Sequence, residues 1–509
     1  MKKLISLILA FMLLFTAISF AEDTSVPDAP PSFMNESAPG EHPEKPNGQP
    51  PEIPSDGMGG EMDRPGEPPK LPDGQMPEPP DGMPGGMPGG MGGPGMQSAP
   101  ETWEAVYTYT EDTTISDQET VSTGKDENAV LVNSGKVSVN NASIIRKSDD
   151  SSGGDGASFY GVGAAMLVTE GELTVSDSTI TTDAEGGAGV FAYGSGVAHI
   201  SNCTISTECG TSGGIHVAGG GTLYADQLTV TTNGSSAAAI RSDRGGGTMI
   251  VNGGSYTSNG SGSPAVYVTA DITVNQAELN ATGSEALCLE GKNSIVLNDC
   301  VLEGNMPDQA QNDNTWNVIL YQSMSGDSEI GKGTFTMNGG KLISHNGGIF
   351  YTTNTVSEFH LKNVEIIASD DYEYLLRCTG NTNQRGWGRK GNNGAECLFS
   401  CEEQSMTGKI IWDSISSLRI ELNNDSVFTG AVVNDETHAS DGGNGACELT
   451  VDETSKWIVT GNSELTSLVC KGLIEDADGK SVTIVDREDH TLVPGDSIYT
   501  IIVDQYMEQ

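Results

Sequence analysis

The stretch Gly171–Thr282 decides the fold: GELTVSDSTITTD (171–183), GVAHISNCTISTE (196–208), GTLYADQLTVTTN (221–233), GTMIVNGGSYTSN (247–259) and ADITVNQAELNAT (270–282). Each phrase has two apolar residues at alternate positions, a small polar corner, another apolar residue, then Thr or Ser. The corners are Ser176, Ser201, Asp226, Asn252, Asn275 and Asn298, spaced by 25, 25, 26, 23 and 23 residues. A fixed period in the twenties built of strands and turns is the mark of a solenoid. The pairs before the corner, such as Leu173/Val175 and Ile272/Val274, alternate as a strand with one buried face. The residue four after the corner (Ile180, Ile205, Val230, Tyr256, Leu279, Leu302) marks a second strand on the same core. A third strand comes next, as in Val190–Tyr193, Ile215–Ala218 and Val266–Thr269. No interval has room for the crossover helix of an ordinary parallel sheet. The expected fold is all-β, a right-handed parallel β-helix with three short strands per coil.

Working outward, residues 1–21 read as a secretory signal: Lys2 and Lys3, an apolar run from Leu4 to Phe15, and Ser19-Phe20-Ala21 as cleavage site. No later apolar run approaches the ~20 residues of a membrane span, so the expected product is exported, secreted or at the cell surface. Residues 22–102 hold 20 of the 23 prolines and end in MPGGMPGGMGGPGM, a composition expected to form a disordered Pro/Gly/Met-rich linker. The β-helix is expected over 103–470, with inserted loops near 146–162, 304–332 and 378–401, and a β cap over 471–509. Capping is needed because an open solenoid end is an aggregation-prone edge.

Net charge is −45, from 25 Lys plus Arg against 70 Asp plus Glu. Such a field repels phosphate backbones, so nucleic acid is not an expected partner, and polyanionic sugars need a bridging cation. No cofactor is implied and calcium is kept open; the linker methionines are either thioether ligands for a soft metal such as Cu(I) or incidental, and metal ligands are otherwise unknown. Oligomeric state is not legible. Nine cysteines leave at least one unpaired in a monomer. Cys378 and Cys397 bracket a loop, either as a disulfide closing its neck or as buried thiols.

Candidate ligand-binding residues come from the outward positions of the third strand. Phe191, His216, Arg241 and Tyr267 fall in one column, and Tyr193, Asp243 and Glu290 in the next, with Phe350 extending the first. Aromatic faces beside Arg and carboxylate suit sugar rings, and the three insertions enter or leave this strand, so they are expected to wall it into a groove. Arg385, Trp387 and Arg389 form the densest positive cluster, in which Trp387 either grips an anionic or carbohydrate ligand or folds back over the helix. The Thr-x-Thr positions of the second strand are the ordinary hydroxyl surface of strands. No Ser-His-Asp order, HExxH, P-loop or nucleophile elbow is present, so no catalytic residue is assigned.

These coils resemble the pectate-lyase-like β-helix superfamily. LRIELNNDSVFTGAV (418–432) followed by LTVDETSKWIVTGNSELTSL (449–468) is similar to the end of pertactin-type adhesin passengers. That resemblance implies an adhesin-like surface β-helix. The lyases and hydrolases of the superfamily carry Asp clusters with an Arg or Lys base, and Arg241 with Asp243 is the nearest approach to one. The expected function is binding of a polysaccharide or surface glycan without cleavage. The alternatives are a polysaccharide lyase or glycoside hydrolase, and a purely structural surface protein.

Overall fold

The computed structural model describes residues 98–509 apart from 324, 371 and 509. Residues 1–97, which hold the stretch read from the sequence as a secretory signal and nearly all of that read as a linker, lie outside the described residues. From residue 105 onward the chain winds into an all-β parallel β-helix. The three strands of each coil build three long parallel sheets of 15, 10 and 13 strands, here termed the first, second and third sheets after their order in the coil.

The repeat fixes the register. In the first sheet Leu173, Ala198, Leu223, Met249, Ile272 and Ile295 pair in succession. The second sheet stacks Ile180, Ile205, Val230, Tyr256, Leu279 and Leu302. The third stacks Val190, Ile215, Ile240, Val266, Leu287, Val318 and Phe350. All of them are buried in one continuous core. Successive coils lie one strand spacing apart, roughly 4.8 Å, so each apolar residue covers its equivalent in the next coil.

The bend between the first two strands falls one position after the corner read from the sequence. Asp177, Asn202, Gln227, Gln276 and Asp299 have φ of 50°, 51°, 51°, 53° and 52°. This is the left-handed region, where Asn, Asp and Gly are enriched among residues. The preceding asparagines stack as a ladder: the Nδ2 groups of Asn275, Asn298 and Asn338 donate to the Oδ1 atoms of Asn252, Asn275 and Asn298, each at 2.9 Å. Such a ladder satisfies side-chain groups that would otherwise face each other across coils.

Phe350 requires a correction. Its position in the core register makes it inward-facing and fully buried, against Phe359 at 5.3 Å, Phe399 at 5.7 Å and Phe335 at 6.0 Å. The outward residue in that coil is Tyr351, which pairs with Ile319 and Arg377.

The coil pattern continues past residue 470. Leu473–Asp476 pairs with Lys456–Val459 in a separate 4-stranded sheet. Thr483–Val485, Thr491–Val493 and Thr500–Ile502 then close the end, and Gln505–Glu508 pairs with Ser467–Cys470 to end the first sheet. All nine cysteines are free thiols, and Cys378 and Cys397 are among those buried. The Cys397 thiol and burial together push the Cys378 thiol up. Among the described residues no helix is long and apolar enough to cross a membrane.

Candidate functional site

The outward column of the third sheet runs Phe191, His216, Arg241, Tyr267, Cys288, Ile319 and Tyr351 in register. Insertions rise beside this face and cover most of it. The first, read from the sequence as a loop, contains a short helix, Gly154–Tyr160, whose Ala157, Ser158 and Phe159 are buried. It sits tightly because residue 161 is glycine at φ 70°: a Cβ there would lie 2.7 Å from Leu167 and 2.9 Å from Phe191. The helix is tied to the sheet twice. Arg241 Nη2 donates to Ser158 Oγ at 3.0 Å, and the Arg244 guanidinium lies 4.0 Å from the centre of the Phe159 ring.

The segment after strand Val318–Tyr321 forms the opposite side. Asp327 Oδ1 accepts from Arg244 Nη2 at 3.1 Å, and Ser323 donates to Glu290. Between the two insertions lies a cleft of about 360 Å³, lined among others by Asp155, Phe159, Arg241, Asp243, Tyr267 and Asp327. Its size falls within the roughly 300–1,000 Å³ of ordinary ligand pockets.

The cleft floor is a buried charge network. Arg241 is 8% exposed and Asp243 3%. Arg241 Nε donates to Asp243 Oδ2 at 2.7 Å, and Nη1 donates to the carbonyls of Ser236 at 2.6 Å and Thr211 at 3.2 Å. His216 is completely buried, stacks on Phe191 at 4.1 Å, and brings Nε2 within 2.9 Å of Asp243 Oδ2. That approach is short but bent, and neither imidazole nitrogen completes a hydrogen bond among the described residues. Burial drives the His216 pKa down to about 4, so the ring is neutral at neutral pH. Burial also pushes Asp243 upward, but the Arg241 guanidinium overrides it and, with His216, holds the carboxyl below the ordinary aspartate range.

Glu290 lies behind Tyr267, only 1% exposed. Its Oε2 accepts from Tyr267 Oη at 3.0 Å and Tyr321 Oη at 2.9 Å, and its Oε1 accepts from Ser323. Burial raises its pKa, and the three hydroxyls only partly offset that. Burial likewise lifts Tyr267 and Tyr321 well above the ordinary tyrosine value.

The structure therefore divides the expected site residues. Arg241, Asp243 and Tyr267 meet at one cleft. Phe191 and His216 face outward from the sheet but are sealed beneath the first insertion, and Glu290 beneath the loop carrying Ser323. Tyr193 is half-buried against Trp103 at 5.9 Å and Tyr160 at 5.7 Å, away from the cleft lining. Phe350 is core. Trp387 folds back: its ring is 4.5 Å from Tyr321 and 5.9 Å from Trp316. Arg385 lies 5.6 Å from that ring and donates from Nε to Asn312 Oδ1 at 2.7 Å, while Arg389 is exposed. The Cys378–Cys397 loop thus rises on the same sheet but covers Tyr321 and not the cleft. Asp155, Ser158, Phe159 and Asp327 do not stand out in the sequence as site residues. Their only signal there is the aromatic pair Phe159-Tyr160 within an otherwise small and polar insertion.

Two other hollows differ from this cleft in their chemistry. One of about 270 Å³ on the first sheet is lined by Glu358, Glu396, Arg419 and Glu448 with no aromatic ring. One of about 540 Å³ is lined by Ile349, Val364 and Met406, at the seam where Glu365–Ala368 ends the second sheet. Neither combines an aromatic face with a fixed ion pair. Among the described residues no cluster of His, Cys, Asp or Glu is arranged to hold a metal ion. No protein-family model matches this chain, and no curated protein matches it in sequence.

Proposed function

We propose that this protein is a secreted or cell-surface, adhesin-like β-helix that binds a polysaccharide or surface glycan in the Arg241–Tyr267 cleft without cleaving it. The observation that carries this reading is one cleft lined by the part-exposed Tyr267 ring, with buried Phe159 behind it, beside a locked Arg241–Asp243 pair. Sugar rings place apolar faces on aromatic side chains and hydroxyls on fixed polar groups, and rigid groups lose little entropy on binding. The same network argues against cleavage. Arg241 holds Asp243 below the ordinary aspartate range, which ill suits a general acid, and Glu290 is sealed beneath the Ser323 loop while accepting from three hydroxyls, so neither buried carboxyl is placed as the proton donor that glycoside hydrolysis needs.

A panel of immobilised polysaccharides tests this, read for retention of the protein and for released reducing ends or unsaturated sugars. Retention on at least one glycan with no product is expected. Turnover, with or without calcium, favours a lyase or hydrolase instead. No retention on any glycan or host matrix favours a purely structural surface protein.

A further inference from the structure

The polar groups of the cleft are not equally available to a ligand. Arg241 is its one deeply seated cation, and four of its five N–H groups are donated, to Asp243, Ser236, Thr211 and Ser158. Asp243 is spent on one side only. Both its contacts fall on Oδ2, while Oδ1 has no partner among the described residues, although the residue lines the cleft and is only 3% exposed. Asp155 stands exposed at the cleft margin with no partner among the described residues. Asp327 engages Arg244 through Oδ1, which leaves Oδ2 open to a further donor. The unspent capacity is therefore mostly carboxylate oxygen, set against one remaining Arg241 N–H, in a chain of net charge −45.

The Tyr267 ring lines the same cleft, and a ring face attracts cations as well as apolar sugar faces. Arg241 balances Asp243 and Arg244 balances Asp327, so Asp155 leaves the cleft one negative charge in excess, which a neutral sugar does not compensate and which repels an acidic one.

We infer that the cleft selects a glycan bearing free amino groups, a deacetylated amino-sugar polymer, with the ammonium held among Asp155, Asp243 and Asp327 and a sugar ring on Tyr267. This inference rests on the glycan-binding reading of the same cleft and adds the charge of its ligand. The chain supplies the acceptors, and the ligand the donors that Asp243 Oδ1 lacks.

The test is equilibrium binding of the full chain to equal-length oligomers of β-1,4-linked glucosamine, β-1,4-linked N-acetylglucosamine, and galacturonate with and without calcium. The glucosamine oligomer is expected to bind tighter than the acetylated one by about tenfold or more, the ratio that ~1.4 kcal/mol of charge pairing gives. Asp155→Asn is expected to erase most of that preference. Glu278→Gln, on the exposed surface of the second sheet, is expected to leave it intact, which separates cleft recognition from general attraction to an acidic protein. Equal binding of the two oligomers, both lost when the cleft is blocked, overturns the charge inference and leaves glycan binding standing. A preference that Asp155→Asn and Glu278→Gln weaken alike also overturns it. Tighter binding of galacturonate with calcium replaces the ammonium by a bridging metal and overturns it as well. No binding of any oligomer, together with a blank polysaccharide panel, overturns both readings.

Discussion

Replacing Phe350 by alanine is expected to destabilise the fold by about 3–5 kcal/mol, measured as a shift in the urea unfolding midpoint at constant slope. The ring is fully buried and packs within 6.0 Å, centre to centre, of Phe335, Phe359 and Phe399. Close-packed interiors relax only partly around a deletion, so a cavity term adds to the lost burial. Coils above and below share these rings, so the loss falls on several coil interfaces at once. A cost below about 1 kcal/mol contradicts the inward assignment, because that is the range of surface substitutions.

Phe350 also shows why the sequence can mislead here. Period and register are legible because every coil repeats the same apolar positions, and Ser176, Ser201 and Asp226 keep the same spacing as the paired strands. Face assignment works while apolar and polar residues alternate along a strand, as they do at Ile215, His216 and Val217 although all three are buried, and fails in Phe-Tyr-Thr-Thr. In that strand, Phe350–Thr353, all four residues are buried. Without alternation a one-residue slip moves the set to the other face. The site is less legible for a related reason. Arg241 is found by its column, but Ser158 lies 83 residues from it in sequence. No local pattern announces that an insertion will fold over a column, so His216 and Glu290 read as surface although they are sealed. The helix Gly154–Tyr160 is hidden by a Gly- and Ser-rich composition that signals a loop.

Replacing Arg241 by methionine is expected to cost about 3–5 kcal/mol near neutral pH, because it strips the cation from a buried carboxylate. Asp243→Asn added to this variant is expected to recover part of the loss, since the amide carries no charge to desolvate. The pH dependence has a definite sign. In the native protein the Asp243 pKa is held below its ordinary value of 3.8. Its contribution is therefore present above that value and lost as pH falls through the folded pKa. Without Arg241 burial dominates, so the deficit is largest near neutral pH and shrinks as acid protonates the carboxyl. His216 acts in a higher window. Its pKa falls from 6.5 to about 4 on folding. Between those values the unfolded chain binds a proton that the folded chain excludes, so stability drops as pH falls, by up to ~1.4 kcal/mol per unit. Unfolding curves between neutral and acid pH for the native protein, Arg241→Met and the double variant check all of this. An Arg241→Met deficit that does not change with pH contradicts the ion-pair account.

Ligand is expected to enter the cleft on the third sheet and not the Arg- and Trp-bearing loop beside it. Equilibrium binding of a retained glycan to Asp155→Trp and to Arg389→Ala tests this most directly. Both residues are exposed, so neither change is expected to disturb the core, and a tryptophan side chain at position 155 fills the cleft margin. Asp155→Trp is expected to abolish binding and Arg389→Ala to leave it unchanged. Binding that survives Asp155→Trp and is lost with Arg389→Ala contradicts it, and moves the site to the loop over Tyr321.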